Sequence, residues 1–186
     1  MSLNLYDELR ELVGKGGTPV TGPDQVCKQM IRHWCEAMED ANPLYSDEDF
    51  ARKSRYGNII SPPAMVQAWS FEPVWPDGQE KRYRYPDKSH RTEQTDPAGV
   101  AFDKLSEAGF SATVDVDTTL EFAKPLYPGD TVTVQTKLVN LTPEKKTRLG
   151  SGHFMTYSFT YTNQKEEPVC YQTLTIFKFK PDIGIG

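Results

Sequence analysis

The sequence contains few cysteines, and their positions argue against a covalent or metal-bound framework. Only Cys27, Cys35 and Cys170 occur among its 186 residues. An odd number of cysteines without a C-x-x-C pair fits neither a set of disulfides nor a cysteine zinc site. The three histidines also lack the H-x-x-E-H type of spacing that binds metal. We therefore expect buried thiols in a reducing compartment and no bound metal.

The sequence also lacks a long hydrophobic run and an excess of basic residues. Its mean hydropathy is −0.60, and no apolar stretch approaches the roughly 20 residues that cross a bilayer. Lys and Arg number 21 against 26 Asp and Glu, whereas nucleic-acid binding depends on neutralising phosphates. The first residues carry charges where a signal peptide would be apolar. We expect a cytoplasmic protein that binds neither nucleic acid nor a membrane.

The hydrophobic content of the chain suffices for one folded domain. Hydrophobic residues make up 37% of the chain and aromatic residues 11%. Apolar side chains recur at helical spacing over 4–13 and again over 24–39, which predicts two helices. We place the first helix and its loop at 1–22 and the main domain at 23–182. The predicted apolar face of the second helix comprises Val26, Met30, Ile31, Trp34 and Met38.

Proline and glycine divide the middle of the chain into short pieces. Ser46, with Asp49 three residues later, predicts the N-cap of a brief helix. The segment 61–75 contains two adjacent prolines and then Pro73, so any helix there is short and broken. The stretch of about 77–109 begins with polar residues and prolines, which predicts an inserted surface excursion.

The second half of the chain has the pattern of strands. Polar and apolar residues alternate over 113–123, which predicts a strand with one face in water. Further strands are predicted at about 132–138, 153–162 and 169–180, and the short turns between them favour antiparallel pairing. The overall prediction is an α+β fold, one antiparallel sheet wrapped around one helix. The predicted apolar face of the first strand comprises Val114, Val116, Leu120 and Phe122.

One block of the sequence resembles a known family. Residues 40–45 read D-A-N-P-L-Y, and residues 59–65 read I-I-S-P-P-A-M. This block resembles the D-x-N-P-x-H motif and following helix start of the MaoC-like enoyl-CoA hydratases. The stretch L-E-F-A-K-P-L-Y-P-G-D at 120–130 is similar to the strand and turn after the central helix of that family. Together these matches cover most of residues 24–180.

The resemblance implies a fold and an activity. MaoC-like hydratases have a hot-dog fold, an antiparallel sheet around a central helix, and act on acyl thioesters of coenzyme A or a carrier protein. In this chain the central helix would be short and broken. The resemblance is strongest to the non-catalytic hydratase-domain subunit of heteromeric enoyl-CoA hydratases of steroid side-chain degradation. A barrel domain often follows the hot dog there, so the chain is either a natural single domain or the N-terminal part of a longer chain.

Two family positions carry residues that cannot perform the family's chemistry. In the family an Asp and a His transfer protons, and a backbone N–H at the helix start binds the thioester oxygen. Asp40 matches the Asp, but Tyr45 stands at the His position, and a phenol with a pKa near 10 is a poor base. Pro63 stands at the glycine position and has no N–H. We therefore assign no catalytic residue to this chain and treat these three positions as degenerate.

A partner must then supply the missing groups. We expect a subunit of a heteromer that hydrates a 2-enoyl-CoA, with a steroid side-chain thioester as substrate. The partner would be a second hot-dog subunit with an intact D-x-N-P-x-H motif, and a thiolase or aldolase is a further candidate partner. Coenzyme A is expected as part of the substrate, with no other cofactor. The candidate substrate-binding residues are Asn42, Met65, Trp69, Trp75, Arg82 and Arg84.

Other interpretations of the same residues stay open. Asp40 and Tyr45 are also compatible with a homodimeric acyl-CoA hydratase or thioesterase, and the fold with a non-enzymatic acyl-CoA-binding or scaffolding module. Asp40 and Asn42 also suit the end of a helix and the turn that follows it. Trp69 and Trp75 also suit core packing, and the basic residues of the insertion also suit a solvated loop.

Overall fold

The computed structural model describes residues 4–71 and 96–182. Its α-helices are α1 (Leu5–Arg10), α2 (Lys28–Met38), α3 (Glu48–Lys53) and α4 (Pro97–Glu107). Two 3₁₀ helices are also present, Pro43–Tyr45 and Pro63–Trp69. The strands are β1 (Val20–Thr21), β2 (Ala112–Phe122), β3 (Val132–Leu141), β4 (Lys145–Thr147), β5 (Gly150–Asn163) and β6 (Pro168–Pro181).

The strands form one antiparallel sheet with the order β1-β3-β5-β6-β2, and β4 pairs with β5. The long strands β5 and β6 pair along 150–163 and 168–181 and form the middle of the sheet. The predicted α+β layout with antiparallel pairing is confirmed. Within the described residues, β2 pairs only with β6, so the other edge of this eleven-residue strand is open.

Two clusters of buried residues form the core. Ile31 of α2 and Met65 and Trp69 of the 3₁₀ helix Pro63–Trp69 belong to the first cluster. Leu9 of α1 and Leu105 of α4 belong to the second. Burying each such side chain contributes about 1.5–3 kcal/mol, so even these short helices are held firmly on the sheet. The 3₁₀ helix is the short helix that the prolines predict for segment 61–75.

The insertion predicted at about 77–109 is only partly a surface excursion. Residues 77–95 lie outside the described residues. Its last part is the helix α4, which begins at Pro97 with Asp96 as its N-cap. Ala101 and Leu105 are fully buried, so this part belongs to the core.

The helix α2 begins four residues later than Asp24, at Lys28. The backbone N–H of Val26 donates to the carbonyl of Asp130 at 2.8 Å. The N–H of Gly129 donates to the carbonyl of Val26, also at 2.8 Å. These long-range hydrogen bonds hold Val26 outside the helix, and Cys27, the N-cap of α2, has an extended backbone. Helical periodicity in the sequence carries no information about such a partner.

The predicted apolar face of α2 is only half buried. Ile31 is fully buried, and Trp34 packs partly against the first core cluster. The side chains of Met30 and Met38 are 47% and 59% exposed. The predicted apolar face is therefore wider than the surface that the sheet covers.

The N-cap of α3 is Asp47. The prediction that Ser46 is the N-cap is therefore wrong by one residue. A side-chain oxygen of Asp47 accepts a hydrogen bond from the N–H of Phe50 at 2.9 Å. Ser46 instead follows the 3₁₀ helix Pro43–Tyr45 as its C-cap. Both residues are good N-caps, and the turn that precedes α3 decides between them.

The prediction that β2 has one apolar face is wrong. A register shift around Val116 inserts an extra residue into the strand. Val114 pairs with Phe177, whereas Leu120 pairs with Gln172, five residues away on β6 and therefore on the opposite face. Both faces of β2 remain exposed within this chain.

Candidate functional site

Asp40 and Asn42 form the turn that follows α2. The helix ends at Met38, and its C-cap residue Glu39 adopts the left-handed conformation with φ 53°. A side-chain oxygen of Asp40 accepts a hydrogen bond from the N–H of Asn42 at 3.0 Å. A side-chain oxygen of Asn42 accepts one from the N–H of Leu44 at 3.1 Å. Both polar side chains therefore stabilise the local backbone, as Asp and Asn commonly do in turns.

Tyr45 is the last residue of the 3₁₀ helix Pro43–Tyr45 and packs partly against the first core cluster. Burial, and then the negative charge of Asp40, raise the pKa of its phenol above the ordinary value. A base that transfers protons at neutral pH needs a pKa near 7. The environment thus moves Tyr45 away from that range.

Pro63 is the first residue of the 3₁₀ helix Pro63–Trp69 and lies at the surface. The preceding residue is also a proline, so neither position offers an N–H to a ligand. The next turn is closed by the N–H of Met65, which donates to the carbonyl of Pro62 at 2.9 Å. The helix start therefore offers no N–H donor at Pro62 or Pro63.

Met65 and Trp69 lie in the core and leave almost no surface for a ligand. Met65 is 1% exposed and Trp69 is 3% exposed. The indole N–H of Trp69 donates to the hydroxyl of Ser61 at 2.9 Å. Trp75, Arg82 and Arg84 lie outside the described residues.

A pocket of about 390 Å³ opens beside Pro63. It lies between the start of the 3₁₀ helix, the end of β2 and the loop that follows β2. Among the described residues that line it, none is a His, an Asp or a Glu, so these residues include no ordinary general base. Its lining includes Arg55, Tyr56, Pro63, Val66, Phe122 and Lys124.

A partly buried polar cluster links the 3₁₀ helix Pro63–Trp69 to the sheet. The side-chain amide of Gln67 donates to the side-chain oxygen of Gln172 at 2.8 Å. The hydroxyl of Tyr161 donates to the same oxygen at 2.8 Å. Gln172 and Tyr161 are both 3% exposed. The sequence does not predict this cluster, because Gln67 lies 105 residues before Gln172 in the chain. The signal available was a polar Gln at an inward position of a strand.

Burial of Tyr161 predicts a loss of stability at alkaline pH. Burial raises the pKa of Tyr161 to about 12, whereas an exposed phenol ionises near pH 10. Between these values the unfolded chain releases the proton and the folded chain keeps it. The free energy of unfolding should therefore fall as pH rises, by about 2–3 kcal/mol from this residue. Urea denaturation at about pH 9 and about pH 11.5 measures the difference.

Tyr161→Phe should remove this part of the pH dependence. Tyr171→Phe is the matched control, because Tyr171 lies on the neighbouring strand with 43% of its surface exposed. A Tyr161→Phe variant that loses as much stability with pH as the wild type would contradict the assignment. The phenol of Tyr157 is also buried, with a pKa raised above its usual range, so part of the alkaline loss should persist.

Three further properties hold for residues 4–71 and 96–182. No helix in these ranges combines the length and the apolar composition of a membrane span. No three His, Cys, Asp or Glu side chains in the same ranges converge as metal ligands would. The thiols of Cys27, Cys35 and Cys170 are all free.

Comparison with known proteins identifies a matching family and relatives. Residues 14–172 match the family described as FAS1-like, dehydratase domain region. A probable enoyl-CoA hydratase alpha subunit of Thermomonospora curvata is 36% identical over 169 residues, which are 89% of this chain and 48% of that protein. The 3-oxo-4,17-pregnadiene-20-carboxyl-CoA hydratase alpha subunit of Mycobacterium tuberculosis is 29% identical over 163 residues, 88% of this chain and 48% of that protein. The chain thus spans about half the length of these curated relatives.

A solved structure is similar over nearly the whole chain. It is the crystal structure of the ChsH1-ChsH2 complex from Mycobacterium tuberculosis. The match covers 97% of this chain and 94% of that chain, with 26% identity and a TM-score of 0.80. The similarity therefore includes the sheet, the 3₁₀ helix and the segment around the pocket.

Proposed function

The chain belongs to the FAS1-like dehydratase domain family, with its MaoC-like hot-dog fold, and from this premise we propose that it is the alpha-type subunit of a heteromeric enoyl-CoA hydratase. The proposed reaction adds water to a 2-enoyl-CoA, and the proposed substrate is a steroid side-chain thioester. The names of the two hydratase alpha subunits similar to this chain support the activity, and the pregnadiene-carboxyl-CoA hydratase supports the substrate class.

The observation that carries the proposal concerns the described residues: the pocket side chains among them include no ordinary base, and the 3₁₀ helix begins with two prolines, which have no N–H. The described lining of the pocket has no His, Asp or Glu. The pKa of the Tyr45 phenol is raised rather than lowered, and Pro63 has no N–H. Hydration needs both a base for the water and a donor for the developing negative charge. A second hot-dog subunit with an intact D-x-N-P-x-H motif would supply both.

The open edge of β2 supports docking of such a subunit next to the pocket. Four apolar side chains on β2 are 36% to 52% exposed. The last residue of the strand, Phe122, also lines the pocket. An edge of this length exposes backbone N–H and C=O groups and tends to pair with another strand. A partner strand at this edge would bring its own residues close to Pro63.

Co-expression with a hot-dog subunit that carries D-x-N-P-x-H tests the proposal. We expect the purified pair to hydrate a 2-enoyl-CoA, measured as loss of the ultraviolet absorbance of the conjugated thioester, while this chain alone does not. The same partner with alanine in place of the motif histidine is the control and should be inactive. Strong activity of this chain alone would instead support a homodimeric enzyme that uses Asp40 and Tyr45. Tight pairing without hydration would support a scaffolding role.

A further inference from the structure

Among the described residues, cationic side chains but no carboxylates line the pocket beside Pro63. Arg55 and Lys124 contribute the charged groups, and no Asp or Glu occurs among the described residues that line it. The chain as a whole has 26 acidic and 21 basic residues. The described lining is therefore positively charged, whereas the whole chain has a negative net charge. Ile60, Val66 and Leu126 make much of the wall apolar. This combination suits a ligand with an uncharged arm and anionic groups at one end.

Neighbouring aromatic residues hold Arg55 in place. A terminal guanidinium nitrogen of Arg55 donates to the hydroxyl of Tyr56 at 2.5 Å. The guanidinium carbon lies 4.7 Å from the centroid of the Tyr56 ring. The hydroxyl of Tyr127 donates to the backbone carbonyl of Tyr56 at 3.2 Å and ties this segment to the loop after β2. A guanidinium held in this way loses less conformational entropy when it binds an anion.

Lys124 lies at the same pocket on the loop that follows β2. Its ammonium group is 2.5 Å from a carboxylate oxygen of Glu167. The side chain of Lys124 is 50% exposed, and ion pairs at such exposure contribute little stability. Lys124 can therefore turn toward a phosphate at small cost. Removal of the Glu167 charge should strengthen the attraction of Lys124 for an anion.

We propose that this pocket binds the coenzyme A half of the acyl thioester, with the pantetheine arm against the apolar wall and the phosphates on Arg55 and Lys124. The inference rests on the proposed function for the identity of the ligand. The volume of about 390 Å³ lies at the small end of ligand sites, about 300–1,000 Å³, and accommodates only part of an acyl-CoA. Arginine binds phosphate oxygens through paired N–H donors. A polycyclic hydrocarbon acyl group offers these cations nothing to bind.

Calorimetric titration of the full chain with coenzyme A tests the site. Arg55→Ala combined with Lys124→Ala should raise the Kd for coenzyme A at least about tenfold, equivalent to the loss of about 1.4 kcal/mol. Binding of pantetheine, which has no phosphate, should be unchanged. Arg52→Ala combined with Lys53→Ala is the matched control, because it removes the same charge from exposed positions of α3. Glu167→Gln should lower the Kd for coenzyme A.

The outcomes separate this inference from the proposed function. In the active heteromer the double variant should raise KM for the enoyl-CoA about tenfold and leave kcat unchanged. An unchanged Kd and KM would overturn the pocket assignment while the hydratase function stands. Equal weakening by the double variant and the α3 control would overturn it too, because the effect would then be general electrostatics. A third outcome is that coenzyme A binding depends on Arg55 and Lys124 but the heteromer does not hydrate the enoyl-CoA. This result would support the pocket assignment and overturn the proposed function.

Discussion

Val116→Lys combined with Leu120→Lys is expected to abolish assembly with the second hot-dog subunit and, with it, hydration by the pair. Both residues lie on the open edge strand β2, where Val116 is 52% and Leu120 is 36% exposed. Edge lysines oppose strand pairing, because a docked strand would bury an ammonium group without a partner. Activity should fall by about 10²-fold or more, the usual contribution of a general acid or base.

The matched control for this prediction is Val139→Lys. Val139 lies on β3, which pairs with β5 and, at 133–134, with β1, and it is 37% exposed at a similar register irregularity. Size-exclusion chromatography of the co-expressed pair measures assembly, and thermal denaturation of the isolated chain checks folding. Co-elution and full activity of the doubly substituted chain would refute docking at the β2 edge.

Gly22→Ala is expected to destabilise the chain by about 2–3 kcal/mol. Gly22 follows β1, and its N–H donates to the carbonyl of Val132 at 2.9 Å. A Cβ at this position would lie 1.9 Å from the carbonyl oxygen of Trp69. This oxygen belongs to the backbone, so the 3₁₀ helix and the sheet must move apart. The midpoint of thermal unfolding should fall by roughly 5–10 °C.

Gly16→Ala is the matched control for Gly22. A Cβ at Gly16 would meet only the side-chain amide of Gln135, at 3.4 Å, which is an ordinary van der Waals contact that requires no movement. We expect a change of less than about 0.5 kcal/mol there. Equal midpoints for the two variants would contradict the close contact between Gly22 and Trp69.

The local elements of the fold could be predicted because their signals are local. Three to four turns of apolar spacing indicate α2, and adjacent prolines limit the helix that starts at Pro63. The alternation over 113–123 correctly indicates β2 as a strand. The extended residues before α2 could not be predicted, because Val26 is paired with the distant residue Asp130. The bulge at Val116 is equally invisible to a regular period of two.

The candidate site also has features that the sequence predicts and features that it does not. The residues at the family positions, Tyr45 and Pro63, could be read directly, because a motif is a run of neighbours in the chain. The pocket could not be predicted from the sequence, because Arg55 and Lys124 come from separate segments that only the folded structure brings together. Met65 and Trp69, which have the apolar character of a ligand wall, lie in the core instead.

The sequence by itself therefore determined the α+β class, the antiparallel strands and the chemical groups missing from the motif. The tertiary structure alone decided which face of β2 each residue occupies, which edge stays open and which cations share a pocket. The physical reason is that residue identity and spacing control local conformation and chemistry. Burial, register and proximity arise from contacts between distant segments, and the linear order of residues does not encode them in any short pattern.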